Sequence, residues 1–496
     1  MEFVVADVIA ALDDAELLVE RRGELPRTAR GISDDSRAVQ PGWIFLAVRG
    51  TERDGHDYIG VVRSAGAALV IAERPDRVPP EMPALIVRGG ATRRAAALAA
   101  AAAYGWPARS LRLVGVTGTN GKTTTVNMLR HVLDSPNAPS ASIGTLGVLK
   151  GSAGRAIEGG GGLTTPGPVE LQRVFRALVE GAVRCVAMEV SSHSLHQRRV
   201  EGVHFDVAVF TNLTRDHLDY HGSMEEYFRA KASLLDLLLP HGIVAYNLDD
   251  PAWKALRTDR RRVAFSERVL TAEVHAENVR FSSRGTEWTL VLGAERQRVQ
   301  LPLIGDFNVS NALGAAAAAY ALGVDAARIA ERLSSLPQVP GRLELLSDRP
   351  AVLRDYAHTP DALARALEAV RPFTRGRLIV VFGCGGDRDR GKRPAMGAIA
   401  EEKADLAIAT SDNPRTEDPE RILDDIETGM HRPHERIVDR REAIARALDL
   451  AGDDDVVLLA GKGHETYQVR GTTKVPFDEK VIVEELMSTK RSHAAR

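Results

Sequence analysis

The chain has 496 residues, 44% of them apolar and 27% charged, with a formal net charge of −2 at pH 7. That length exceeds what one hydrophobic core organises and favours about two to four domains, while the interspersed, near-neutral charge excludes a global field that would draw in nucleic acid or an anionic membrane. Two cysteines, Cys185 and Cys384, exclude a disulfide framework and point to a reducing compartment.

The opening MEFVVADVIAALDDAELLVE carries acids throughout and lacks a basic start or cleavage site, so no signal peptide is expected. No apolar run reaches the roughly 18 residues a membrane span needs. A cytoplasmic globular protein is expected.

Composition divides the chain into three expected domains, 1–107, 108–339 and 340–496. The first mixes strand-like runs (WIFLAV at 43–48, AALVIA at 67–72, ALIV at 84–87) with turns, then an alanine-rich helix ending before Pro107. From Leu111 the pattern becomes strand, loop, helix. LRLVGV leads into a glycine loop and the helical VNMLRHVL, and apolar runs follow at 184–190, 206–210 and 242–247. Strands alternating with helices predict an α/β domain with a parallel sheet covered on both faces. GDFNVSNALGAAAAAYALG (305–323) reads as a further helix, and LPQVPGR (336–342) as a linker. A second alternating pattern then sets strands at 377–383, 405–410 and 455–461, each running into a polar loop. Ligands of open α/β sheets bind beyond the carboxyl ends of such strands. The last segment, STKRSHAAR, is expected to be a frayed tail.

VGVTGTNGKTTT (114–125) carries the first chemistry. The common phosphate loop has four residues between its first glycine and Gly-Lys, which would place a glycine at 116, where this chain has Val. Gly118 and Gly121 still let the backbone approach a phosphate, and the next helix offers its free N–H groups. Gly118, Thr119, Asn120, Gly121, Lys122, Thr123 and Thr124 are the expected ATP grip, with Lys122 on the β/γ-phosphates and the Thr123 hydroxyl on Mg²⁺. Mg²⁺ takes oxygen ligands, and Glu189, ending a strand-like run before Ser191, Ser192 and His193, is the expected carboxylate. His217 and Asp219 follow another run. Taken alone, His217 reads equally well as a polar loop histidine.

The series G-T-N-G-K-T-T, E-V-S-S-H and T-N-L-x-x-D-H-L-D-Y-H-G resembles the Mur ligase family of ATP-dependent amide-forming enzymes of peptidoglycan precursor synthesis, on which cell-wall growth, cell shape and division depend. Further matches extend over nearly the whole chain: DSR (35–37), GTERDGHDYI (50–59), TTP (164–166), GDFNVSNAL, GRLE (341–344) and DYAHTPDAL (355–363). The resemblance implies a small N-terminal α/β domain for UDP, a central P-loop ATPase domain and a Rossmann-like C-terminal domain. It implies metal binding by Glu189 and His217 beside Thr123. It also implies a carbamylated Lys231 holding a second Mg²⁺, although RAKASLL by itself reads as an ordinary surface helix. Asn308 and Asn311, three apart on one helical face, are implied to meet adenine, though such asparagines also cap helices. Arg342 and Asp355 would reach the nucleotide when the last domain closes. Ser36, Thr164, Thr165, Ser191, Gln197 and Arg199 are implied to hold a UDP-N-acetylmuramoyl dipeptide. Its glutamate carboxylate would be activated as an acyl phosphate before an amine attacks.

The loops 383–394, 411–419 and 460–468 then choose the amino acid. They offer Arg388, Asp412, Asn413, Pro414, Arg415, Gly461 and Glu465. Guanidinium suits a distal carboxylate and Glu465 a distal ammonium, and meso-diaminopimelate has both, whereas L-lysine has only the ammonium. D-N-P-R also resembles the diaminopimelate-adding members of the family. In the competing reading, Arg415 merely pairs with Glu417 or Asp418 on the surface. The alternatives are a lysine-adding ligase, a folylpolyglutamate synthetase-like ligase and a nucleotide-switch binding protein. The partners expected are the three small molecules, with no nucleic acid and no membrane insertion. Oligomeric state leaves no mark in the sequence, and a monomer is the expectation.

Overall fold

The structure, a computed structural model, describes residues 2–50, 53–160, 162–282 and 285–494. Thr51 and Glu52 of the 50–59 motif, Gly161 of the glycine run at 159–162, and the terminal Ala495 and Arg496 lie outside the described residues. The chain falls into two compact units. One comprises 1–275, 291–296 and 310–332, the other 276–290, 297–309 and 333–496.

The first unit holds two sheets. The smaller runs Leu18–Arg22, Ala84–Val87, Leu69–Ala72, Trp43–Leu46, Gly31–Ser33, antiparallel at its first pair and parallel thereafter. Its central strands are apolar at every position because both faces are covered. Ile44, Leu46, Leu69, Ile71, Leu85 and Val87 face a core shared with the alanine-rich helix Thr92–Ala103, while Phe45, Val70, Ala72 and Ile86 face the opposite core. The alanines let that helix lie close on the sheet, which gives the run a packing role.

The larger sheet of this unit runs Arg155–Ile157, Gly147–Lys150, Ser140–Gly144, Cys185–Glu189, Arg112–Thr117, Phe205–Phe210, Leu238–Asn247, Arg262–Ser266. From Ser140–Gly144 onward the neighbours are parallel. The register sets Glu189 opposite Val116 and Phe210 opposite Thr117, so three neighbouring strands end at one edge. The polar hairpin 140–157 at the far side was not foreseen.

In the second unit the sheet order is Glu344–Asp348, Ala351–Asp355, Val456–Ala460, Leu378–Phe382, Leu406–Ala409, Glu435–Arg436, parallel after the first pair. Leu353, Leu378, Val380, Phe382 and Leu458 pack on one face and Val352, Ile379, Val381, Val457 and Leu459 on the other. The helix Glu479–Ala494 corrects the expected frayed tail. Its first residue, Glu479, is fully buried against Arg440 at 2.8 Å, and Lys490 Nζ donates to the Leu448 carbonyl. These contacts hold a segment whose composition alone reads as loose. Both cysteines are free, and among the described residues no helix is long and apolar enough to cross a membrane.

Candidate active site

The glycine loop links strand Arg112–Thr117 to helix Lys122–Leu133. Gly118 and Gly121 have φ of +148° and +84°. A Cβ on Gly118 would overlap the Thr211 hydroxyl, and one on Gly121 would overlap Asn311 Oδ1. Both positions therefore require glycine for backbone angle and for space. The loop is pinned from the neighbouring strand end. Thr119 N donates to the Asn212 carbonyl at 2.7 Å, and Asn120 N donates to Asn212 Oδ1 at 2.9 Å. The Thr211 hydroxyl donates to the Asn120 carbonyl at 2.7 Å. Thr211 and Asn212 stand in the quoted T-N-L motif, yet the sequence reading gave them no role. Thr123 and Thr124 are buried at the helix start. Asn311 packs on the loop at Gly121, whereas Asn308 is buried and donates to the Ile304 carbonyl one turn back at 2.8 Å.

Two lysines converge on one oxygen. Lys122 Nζ donates to the Gly118 and Thr119 carbonyls at 2.9 and 2.7 Å, and Lys231 Nζ donates to the same Gly118 carbonyl at 2.7 Å. Lys231 is only 1% exposed and lies 4.4 Å above the Tyr227 ring, which corrects the surface reading of RAKASLL. Burial, reinforced by the charge of Lys122, pushes its ammonium well below the ordinary lysine range.

Glu189 is also 1% exposed. Its carboxylate accepts the Thr145 amide at 2.8 Å and the Thr145 hydroxyl at 3.3 Å, and it forms no ion pair among the described residues. A buried carboxylate without a protein counter-ion fits a cation site. No three His, Cys, Asp or Glu side chains gather into a metal cluster among the described residues. The donors available are one carboxylate and the Thr123 hydroxyl, a set that suits Mg²⁺ completed by substrate phosphate and water. His217 is exposed and leans on Asp216 at 3.4 Å, its ring edge-on to His193 at 4.7 Å. Burial, with His217 and Arg199 nearby, lowers His193 to about 4, which keeps that imidazole neutral at pH 7.

Thr164, Thr165, Ser191, Gln197 and Arg199 form one network beyond Glu189. The Thr165 hydroxyl donates to the Glu189 carbonyl at 2.8 Å and receives the Ser191 amide at 3.1 Å. The Thr164 hydroxyl meets that of Thr145 at 3.3 Å. Arg199 donates to the Thr165 carbonyl at 3.0 Å and forks onto Gln197 Oε1 at 3.0 and 2.6 Å, and Gln197 in turn donates to Tyr220 at 3.1 Å. Asp34 lies within electrostatic range of Arg199 and close to Gly167, two positions before the half-buried Ser36 on the loop after Gly31–Ser33. Asp34 was missed because only the D-S-R triplet beside it was quoted.

In the second unit, Arg342 lies 4.9 Å from the Tyr356 ring centre, and the Asp355 carboxylate accepts the Leu343 amide at 2.8 Å. Burial raises the Asp355 carboxyl above the usual range, against the pull of Arg342. The three strand-end loops meet each other. Arg415 Nη1 donates to the Gly386 carbonyl at 2.7 Å, and a Cβ on Gly385 would sit 2.9 Å from that nitrogen and 3.8 Å from Arg388 Cγ. Pro414 packs by its carbonyl against Gly386, and Gly461 sits against the buried Asp412 carboxylate. Asn413 Nδ2 donates to Glu465 Oε2 at 2.8 Å. The competing surface pairing of Arg415 does not form, since Glu417 is engaged by Arg393 at 2.9 Å and Arg390 at 3.1 Å, and Asp418 caps the helix Pro419–Glu427. Lys462 is a further residue of this cluster, fully buried between Asn413 Oδ1 and Glu465 Oε2 at 3.1 Å each. It lies in the loop 460–468, where the sequence gives it no role because nothing local marks a lysine as buried.

Comparison with known proteins covers most of the chain. Residues 28–106 match a Mur ligase family catalytic domain, 116–319 a Mur ligase middle domain, and 341–463 a Mur ligase glutamate ligase domain. A relative from Gloeobacter violaceus, a UDP-N-acetylmuramoyl-L-alanyl-D-glutamate–2,6-diaminopimelate ligase, is 46% identical over 475 residues, 93% of this chain and 94% of its own. One of the same description from Geobacillus kaustophilus is 43% identical over 90% of this chain and 92% of its own. A solved structure described in the same terms is 32% identical, with a TM-score of 0.67 over 95% of this chain and 98% of that one. A MurF ligase from Thermotoga maritima in complex with ADP shares the fold, with a TM-score of 0.65 at 20% identity over 94% of this chain and 99% of that one.

Proposed function

The chain belongs to the Mur ligase family, and from that premise we propose that it joins meso-diaminopimelate to UDP-N-acetylmuramoyl-L-alanyl-D-glutamate with conversion of ATP to ADP, a cytoplasmic step of peptidoglycan precursor synthesis. The observation that carries the chemistry is the meeting of the Gly118–Lys122 loop with buried Glu189 and buried Lys231 at adjoining strand ends. The family-model bounds fall inside the segments expected from sequence and support a division of labour. Residues 1–107 take UDP, 108–339 take ATP and 340–496 take the amino acid.

The γ-phosphoryl of ATP passes to the glutamate carboxylate, giving an acyl phosphate and ADP. The diaminopimelate amine then attacks that carbonyl carbon, the C–N bond forms, the C–O bond to phosphate breaks, and the amine gives up a proton. Loop amides and Lys122 hold the phosphates in line, a matter of positioning and charge neutralisation. Thr123 and Glu189 hold Mg²⁺, which when bound neutralises charge on the transferring phosphate. Arg199, Thr165 and Ser191 hold the dipeptide end of the acceptor, and Asn311 meets the base. Lys231 enters as its carbamate. The depressed ammonium loses a proton, the free amine adds to carbon dioxide and the nitrogen gives up a second proton, and the resulting carbamate anion would be a further oxygen ligand beside Glu189 and His217.

The deciding assay is ADP formation with the UDP-linked dipeptide and, in separate reactions, meso-diaminopimelate, L-lysine or no amino acid. Turnover only with diaminopimelate is expected. Equal turnover with lysine, or ADP release without any amino acid, overturns the reading.

A further inference from the structure

The three amino-acid loops of the second unit are not balanced in charge as their sequence suggests. Glu465 is the carboxylate placed to receive an ammonium, yet its Oε2 already accepts Asn413 Nδ2 at 2.8 Å and Lys462 Nζ at 3.1 Å. The Lys462 side chain is 0% exposed and that of Glu465 17%. Lys462 also donates to Asn413 Oδ1 at 3.1 Å, which with the Val469 amide at 2.9 Å fixes the amide so that its NH₂ faces Glu465. Glu465 Oε1 has no hydrogen-bond partner among the described residues. Arg388 and Arg415, by contrast, rest on backbone oxygens, Arg388 on Asp387 at 3.3 Å and Arg415 on Gly386 at 2.7 Å. Neither forms an ion pair with a carboxylate among the described residues. Lys462 thus cancels the charge of Glu465, and Arg388 and Arg415 stand beside that pair as cations with no carboxylate paired to them among the described residues.

We propose that Lys462 sets the amino-acid selectivity of this site by cancelling the charge of Glu465, so that the loops accept a zwitterionic far end and repel a purely cationic one. The inference rests on the reading above that these loops hold the far end of the incoming amino acid. A pocket's excess charge acts on the net charge of what enters. The distal end of diaminopimelate carries an ammonium and a carboxylate and has no net charge, while that of lysine carries a full positive charge. Changing the excess by one unit therefore moves lysine strongly and diaminopimelate little. Lys462 is a positioning residue. It orients Asn413 and Glu465 and leaves Oε1 as the atom that meets the ammonium.

The test compares kcat/KM for meso-diaminopimelate and for L-lysine in the full chain and in Lys462→Met, Glu465→Gln, the double variant and Arg415→Ala. Lys462→Met is expected to raise kcat/KM for lysine about tenfold, with diaminopimelate changed only a few-fold. Glu465→Gln is expected to depress lysine further than diaminopimelate, and the double variant to return the ratio toward that of the parent. Glu465→Gln keeps a side-chain oxygen to accept from Asn413 and Lys462 while removing the charge, so it decides the matter if Lys462→Met does not fold. A diaminopimelate-to-lysine ratio that stays constant across all folded variants, or that falls in Glu465→Gln, overturns the proposal. If Arg415→Ala also leaves the amino-acid KM unmoved, the pocket reading itself fails. If Arg415→Ala raises that KM while the ratio stays constant, only the role of Lys462 fails.

Discussion

Lys122 and Lys231 share the carbonyl of Gly118, and two ammonium groups at that separation repel each other in a site with little water. Lys231 is the one that yields, because it is buried and Lys122 is not. A neutral amine is the nucleophile that carbon dioxide needs, and burial favours that form of Lys231. Incubation with ¹³C-bicarbonate is expected to give a carbamate carbon resonance in the folded protein that Lys231→Ala lacks; an identical spectrum from the variant removes the assignment. Nothing in R-A-K-A-S-L-L distinguishes this lysine from a solvated one. Its burial comes from Tyr227 and the glycine loop, which lies 113 positions earlier in the chain. The position of Arg415 on a loop beyond a strand was legible because D-N-P ends the apolar run before it. Arg415→Ala is expected to raise the KM for diaminopimelate about 30-fold or more, the scale of a lost charge-assisted bond, with the KM for ATP within about twofold. Equal small changes in both would assign Arg415 to the surface.

Among elements, those with unbroken apolar runs were the ones legible in sequence. LIVVF, LAIA and VVLLA each fill both faces of a parallel sheet, and no other element leaves that pattern so clearly. Ser140–Gly144, Gly147–Lys150 and Arg155–Ile157 went unseen, since serine, glycine and lysine carry no period and their pairing comes from one another and from Cys185–Glu189. The C-terminal helix was missed because its partners lie far off in the chain: Ile482, Val483 and Met487 pack into one face of the second-unit core, and Glu479 forms a buried ion pair. Arg440 reaches Glu479 and also donates to the Ala460 carbonyl at 2.9 Å. Arg440→Met leaves a carboxylate buried without a partner, at a cost of about 3–5 kcal/mol. Urea unfolding monitored by circular dichroism should show an earlier transition for Arg440→Met, and a smaller shift when Glu479→Gln is added. Equal midpoints for parent and single variant would show that the pair holds nothing.

At the scale of the whole molecule, acidity acts through partly or fully buried imidazoles, His193 and His221 at the site and His131 at the opposite end of the phosphate-loop helix from Lys122. Burial, then the charges of Arg332 and Arg130, lower the His131 imidazole to about 4. Unfolded, it takes up its proton near the ordinary 6.5, so between those values the unfolded chain binds more protons than the native one. Stability is therefore lost as pH falls from about 6.5 toward 4 and is fully present above that window. Thermal unfolding at pH 7.5 and 5.5 should show a smaller acid-induced drop in Tm for His131→Asn than for the parent; parallel drops would place the sensitivity elsewhere. The amino-acid loops carry a different consequence. On the proposed reading, the guanidinium forks of Arg388 and Arg415 rest on peptide oxygens and form no ion pair among the described residues, so an incoming oxyanion displaces a weaker acceptor than a carboxylate. Compounds bearing a phosphonate or sulfonate in place of the distal carboxylate should be captured by the same fork. Such mimics would obstruct the enzyme from a side that cellular nucleotide levels do not reach.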